Sequence, residues 1–153
     1  MSIFHSLNTS ASALTAQRLR MDVISSNMAN IETTRGKMVD GEWQPYRRKT
    51  VSFQPREGQF SSMLQAAMGK QSTGAAGYGV TVSSIKEDTE TPFQLVYNPS
   101  HPDANEDGYV QMPNVDPLRE MIDLMSATRS YEANVTVLNA NKAMLMKALE
   151  IGK

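Results

Sequence analysis

The 153-residue chain contains no cysteine. That excludes disulfides, cysteine nucleophiles and thiolate metal sites, and it suits a chain that must cross compartments unfolded. An excess of one charge is missing as well. The 15 basic and 16 acidic residues leave a net charge of −1, too balanced to mark a nucleic-acid or anionic-membrane partner. No apolar run reaches the roughly 18 residues of a membrane-spanning helix. The opening MSIFHSLNTSASALTAQ has neither a basic start nor a continuous apolar stretch, so no cleavable signal peptide is expected. Motifs of chemistry are absent too: there is no G-x-S-x-G, Walker or G-x-G-x-x-G pattern. The two histidines, His5 and His101, lie in unrelated segments with no third ligand for zinc. Neither an enzyme, nor a cofactor, nor a small-molecule substrate is expected.

What the chain does have is methionine, 11 residues of it. Met21, Met28, Met121, Met125, Met144 and Met146 fall in two segments that read as helices. They serve either as flexible core filling or as adaptable packing that meets neighbours in different settings. In the first segment Leu7, Leu14, Met21 and Met28 recur every seven positions. Ile3, Ile24 and Ile31 fill the complementary positions, and Ser10 and Gln17 interrupt the seam. A helix over residues 3 to 30 would be about 42 Å long. Its end, SSNMANIETTRG, places Asn27 and Asn30 on one flank of the seam. They would satisfy the fraying helix end locally, or find partners in a crowded neighbourhood and fix register.

The second segment begins with Asp116 before Pro117, an N-cap and a proline at the first helical position. Met121, Val135 and Leu149 alternate with Leu124, Tyr131, Leu138 and Leu145 in heptad register, with Thr128 and Lys142 as polar exceptions. The helix is expected over 117 to 151, roughly 52 Å, with Gly152 stopping it. Neither helix buries its stripe alone. Two arrangements are open: an antiparallel hairpin within one chain, or helices that also pack against other chains. Apolar residues off the seam, among them Ile122, Met125, Met144, Met146 and Ile151, widen the surface to be covered.

Between the helices the pattern turns extended. Tyr46 to Phe53 reads as a strand bracketed by Pro45 and Pro55. Phe60 to Met68 reads as a short helix, and 69 to 79 as a small-residue loop. Val80 to Lys86 and Phe93 to Tyr97 are further strands, and Pro99, Pro102 and Pro113 make a rigid, turning connection. Arg47, Arg48 and Lys49, the one basic cluster, read as a solvated strand face. Asp103-Ala104-Asn105-Glu106-Asp107-Gly108 matches the opening of a calcium loop, but the twelfth position is Asn114 where a glutamate is required. A polar turn is the better reading.

The two ends carry a resemblance. Ser12 to Ile24 (SALTAQRLRMDVI) followed by SNMANIETT resembles the N-terminal motif of flagellar rod and hook axial proteins. Ser130-Tyr131-Glu132-Ala133-Asn134-Val135 and the tail from Lys142 to Gly152 resemble their C-terminal motif. GEWQPYRRK (41 to 49) and DGYVQMPNVDP (107 to 117) resemble a rod member of that family. The motif Thr33-Thr34-Arg35-Gly36-Lys37 lacks the aromatic that many members carry there, as in the proximal-rod variant.

The resemblance implies an α+β chain: long terminal helices that pair as a coiled-coil domain, with a small β-rich middle domain. It implies residues 1-36 as N-terminal rod helix and turn, 37-114 as middle domain and 115-153 as C-terminal rod helix. The implied partners are other rod subunits, further copies of the chain, and adjacent basal-body and export-apparatus proteins. The implied location is the flagellar basal body, reached by type III export and without nucleic acid. The expected assembly residues are Leu7, Leu14, Met21, Ile24, Asn27, Met28, Asn30 and Ile31 on the first helix. On the second they are Leu124, Tyr131, Asn134, Val135, Leu138, Leu145 and Leu149. The competing class is a soluble helical-hairpin adaptor or calcium-dependent binding module.

Overall fold

A computed structural model describes residues 3–56, 68 and 79–151. The short helix expected before Met68, most of the loop from 69 to 79 and the Gly152 stop lie outside the described residues. The chain is α+β. Helix α1 (Ile3–Ala29) is followed by strands β1 (Lys37–Val39), β2 (Glu42–Gln44), β3 (Lys49–Pro55), β4 (Val80–Glu87), β5 (Gln94–Tyr97) and β6 (Tyr109–Met112), and helix α2 (Pro117–Ile151) closes the order.

Both helices fall within a residue of the expected span. Serine and threonine are poor interior helix formers because their hydroxyls compete for backbone groups. In α1 that competition is absorbed inside the helix. Thr9 donates to the His5 carbonyl, Ser12 to the Thr9 carbonyl and Thr15 to the Ala11 carbonyl, at 2.7 to 3.0 Å. Helix α2 starts as its sequence dictates. The Asp116 carboxylate accepts the Leu118 amide at 3.0 Å and the Arg119 amide at 3.5 Å. Two of the orphan donors of the first turn are thereby satisfied.

The strands form three two-stranded pairs, β1–β2, β3–β4 and β5–β6. The first is a hairpin in which Val39 faces Glu42, leaving Asp40-Gly41 as a two-residue turn. Both turn residues have positive φ, 52° and 89°, the backbone that an Asp-Gly hairpin turn requires. Ahead of Tyr46 the sequence pattern predicts only extended chain, and this Asp-Gly pair is the signal that resolves it into a hairpin. Strand β3 starts at Lys49 and takes in Pro55, so Tyr46, Arg47 and Arg48 precede the strand rather than belong to it. The turning connection expected over 99 to 113 also ends early. Tyr109 to Met112 alternate exposed and buried and pair with β5, Tyr97 facing Tyr109 and Gln94 facing Met112.

Packing divides the chain into two units. One comprises Met1–Leu19, Ser52–Ser84 and Ala127–Lys153, the other Arg20–Val51 and Ile85–Ser126. In the first, Ser10, Ala16 and Ala127 are buried, and the Ser12 hydroxyl accepts the Val80 amide at 3.1 Å. In the second, Val23, Ile24, Val110 and Val115 form the apolar core, together with buried Asn27, Asn114 and Glu120.

Gly36 is required by a close backbone approach. Its amide donates to the Gln44 carbonyl at 2.9 Å, and the Tyr46 amide donates to the Thr33 carbonyl at 3.0 Å. A Cβ on Gly36 would stand 2.7 Å from the Tyr46 nitrogen and 2.8 Å from its Cα. Those are backbone atoms, so no side-chain rotation relieves the contact. Gly36→Ala is expected to destabilise the second unit by about 1–3 kcal/mol, as overpacking does, read as a lowered urea midpoint. An unchanged midpoint would refute the close approach.

Candidate functional site

Within the second unit, the end of α1 meets the start of β3 and the first turns of α2 through polar groups. Asn27 is 1% exposed and Glu120 0%, so every polar atom there needs a partner. The Asn27 amide nitrogen donates to the Lys49 carbonyl at 2.9 Å and to Glu120 Oε2 at 3.1 Å. Its oxygen accepts the Lys49 amide at 2.9 Å and the Tyr46 hydroxyl at 3.0 Å. All four hydrogen-bonding positions of the carboxamide are filled. Toward Lys49 the side chain pairs as a neighbouring strand would, taking both the N–H and the C=O of one residue.

The charge on buried Glu120 is answered by Arg48. Arg48 Nε bonds Glu120 Oε1, with the arginine side chain only 12% exposed. Arg48 Nη2 also reaches Asp123 Oδ2 at 3.3 Å, and Asp123 Oδ1 takes Arg20 Nη2 at 3.1 Å. Two cations and two carboxylates therefore alternate along the cluster and cancel. The expectation that Arg48 lies on a solvated strand face is corrected here: the guanidinium is pulled inward by a carboxylate with no access to water. Arg47 stacks over the Phe93 ring at 4.4 Å and Lys49 over the Tyr46 ring at 5.5 Å.

Asn114 does for the β3 entrance what Asn27 does for β3 itself. Its oxygen accepts the Arg48 amide at 2.8 Å, and its nitrogen donates to the Asp88 and Thr91 carbonyls at 3.0 and 3.1 Å. Asp88 caps its own turn, accepting the Glu90 and Thr91 amides and the Thr91 hydroxyl. Those hydrogen bonds, the Thr91 amide first and the Thr91 hydroxyl next, hold its carboxyl below the ordinary value.

In the loop that opens like a calcium site, the ligand positions Asp103 and Asn105 are otherwise engaged. Asp103 Oδ1 accepts Arg35 and Asp103 Oδ2 accepts the Thr34 hydroxyl at 2.7 Å. Hydrogen bonding from Arg35, then from Thr34, lowers its pKa. Asn105 Oδ1 accepts the Tyr109 amide at 2.7 Å. The loop is a polar turn that ties β5–β6 to the segment leaving α1.

The expected assembly residues separate into classes. Ile24 and Asn27 are buried. Leu7, Leu14, Met21 and Met28 on α1, and Asn30 and Ile31 in the turn just after it, are half-buried, as are Leu124, Tyr131, Asn134, Val135, Leu138 and Leu145 on α2, whereas Leu149 is 75% exposed. The fully buried row of α1 is Ser10, Ala16, Val23, Ile24 and Asn27, offset from the leucine–methionine heptad and including one of its supposed interruptions. Small side chains, Ser10 and Ala16, occupy the first part of that row, and the bulkier Leu7 and Leu14 are only half-buried. Asn30 acts locally, donating to the Ser26 carbonyl at 2.8 Å, and Asn134 does the same to Ser130 at 2.8 Å. Sequence reading missed Glu120, Arg48 and Asn114. A carboxylate one turn into a helix behind an intact N-cap was the available signal for Glu120.

Comparison with known proteins places this arrangement. Residues 7–36 match the family described as flagella basal body rod protein, and 106–151 match the flagellar basal body rod FlgEFG protein C-terminal family. The flagellar basal-body rod protein FlgC of Bacillus subtilis is 66% identical over 153 residues, covering 100% of both chains. The chain belongs to the FlgC family of flagellar basal-body rod proteins. The Salmonella typhimurium FlgC is 44% identical over 100% of both chains, and that of Borreliella burgdorferi 43% over 99% of this chain and 98% of its own. FlgC proteins are structural rather than catalytic. The chain is a structural subunit of the rod, sits in the flagellar basal body and assembles with other basal-body components. Among the described residues, no helix is long and apolar enough to cross a membrane.

Removing one member of a buried ion pair strands the other. Arg48→Met is expected to destabilise the second unit by about 3–5 kcal/mol, whereas Arg48→Met with Glu120→Leu recovers most of that loss. Chemical denaturation of the two variants and the parent measures it. A double variant as unstable as the single would show that Glu120 is not neutralised by Arg48.

Proposed function

We propose that the chain is a subunit of the proximal part of the rod and transmits torque by packing alone. It assembles through its terminal helices with further copies of itself and with other rod subunits, and it abuts basal-body and export-apparatus proteins. The carrying observation is the apolar surface that α2 leaves exposed. Met125, Val137, Met144, Met146, Leu149 and Ile151 are each at least half exposed, which a helix tolerates only where another surface covers it. The half-buried rows of α1 and α2, with Asn30 and Ile31 just past the end of α1, are the surfaces we assign to neighbours. Under this reading residues 1-36 and 115-153 are the rod helices and 37-114 the outer, mostly β domain. The absence of cysteine supports passage through the flagellar type III export apparatus.

A charge in the row leaves the polar node alone but penalises every subunit contact. Leu145→Asp, and separately Leu14→Asp, should abolish swimming while the second unit keeps its fold. Soft-agar motility with electron microscopy of isolated basal bodies reads the result. Normal swimming and intact rods with either variant would overturn the assignment.

A further inference from the structure

A cleft of about 350 Å³ in the second unit is lined by Lys37, Tyr46, Arg47, Lys49, Glu87 and Thr89, among others. Three of these side chains are cations, against one carboxylate. Among the described residues, Lys37, Arg47 and Lys49 form no ion pair. Two of them are held in place without being neutralised, Arg47 against Phe93 and Lys49 against Tyr46. Aromatic support of this kind fixes a cation while leaving its charge open to an incoming anion. Arg20, Arg35 and Arg48 of the same unit are each matched by a carboxylate, whereas the three cations that line the cleft are not.

The same chain carries a complementary element. The turn between β5 and β6 presents Glu106 and Asp107, both exposed and in no ion pair among the described residues. Its backbone is already rigid: Gly108 donates to the Asn105 carbonyl at 2.9 Å, Asn105 to the Tyr109 carbonyl at 2.9 Å, and Arg35 anchors Asp103. A preformed acidic knuckle loses little entropy on docking.

We propose that the Lys37–Arg47–Lys49 cleft receives the Glu106-Asp107 turn of a second copy of this chain. Knuckle and cleft are different surfaces, so the contact is heterologous and repeats head to tail, the geometry that builds a ring or a helical row. The inference rests on the rod-subunit reading. It adds an electrostatic contact between middle segments to the apolar contacts of the helices. Like-signed juxtapositions at other registers are disfavoured, so the contact also selects register.

The cysteine-free sequence makes the test clean. Basal bodies are isolated from cells in which the full chain carries Lys37→Cys and Asp107→Cys, then treated with copper phenanthroline. Disulfide-linked dimers and higher multimers are expected on a non-reducing gel, collapsing to monomer with reductant, and neither single variant gives species beyond a dimer. Rods that contain the chain but yield no multimers overturn the proposal, as does a disulfide closed within one chain. Should the double-cysteine chain fail to enter rods, charge exchange decides. Glu106→Lys with Asp107→Lys reduces swimming speed or fraction at least tenfold, and adding Lys37→Glu and Lys49→Glu restores it. Absence of restoration overturns the contact. Absence of the unsubstituted chain from purified rods would instead sink the rod-subunit reading.

Discussion

The second unit depends on one carboxamide. Asn27 leaves the last full turn of α1 and fills all four of its hydrogen-bonding positions with β3, Tyr46 and Glu120. A buried amide is stabilising only when it is fully partnered, and here the amide and its partners come from three separate stretches of chain. The end of α1, the start of β3 and the first turns of α2 must be correctly placed together for any of the four bonds to form. The cluster is therefore specific before it is strong. An apolar residue of similar volume would pack, but it would accept several offsets of strand against helix.

Glu120 extends the same logic through charge. A carboxylate with no exposure is intolerable alone, so Arg48 is drawn in, and Asp123 and Arg20 complete a neutral alternation. Gly36 and Asp103 then fix the path that leaves α1, one by a backbone approach that admits no Cβ and the other by holding Arg35 and Thr34. For a protein whose task is to carry load, this division is physically sensible. Directional polar contacts set the geometry of the joint. The second long helix leaves non-directional apolar surface exposed, Met125, Met144 and Met146 among it, and methionine is the side chain that adapts most readily to different settings.

Much of this was legible beforehand, because periodicity and capping are local. The heptad leucines, Asp116-Pro117 and the Ser/Thr-rich first helix determine both helices to within a residue, and the terminal motifs point to the family. The short strands were harder. Asp40-Gly41 and the alternation of Tyr109 to Met112 carried signals that prolines and glycines nearby obscured. The polar node was least legible, for a reason of principle. Asn27, Arg48 and Glu120 are separated by 21 and 72 residues in sequence, and nothing in the sequence links one to another. Only tertiary packing reveals that they share one dry site. The offset of the buried row from the leucine–methionine heptad has the same origin, since small residues such as Ser10 and Ala16 carry no hydrophobic signature.

The claim that Asn27 locks β3 in place is tested most directly by native-state hydrogen exchange at the Lys49 amide, which donates to the Asn27 oxygen at 2.9 Å. If the node is the last part of the unit to open, that amide exchanges only through unfolding of the whole unit, with the same denaturant dependence as global stability. Exchange of the Lys49 amide at a rate comparable to the exposed Asp40-Gly41 turn would contradict the account.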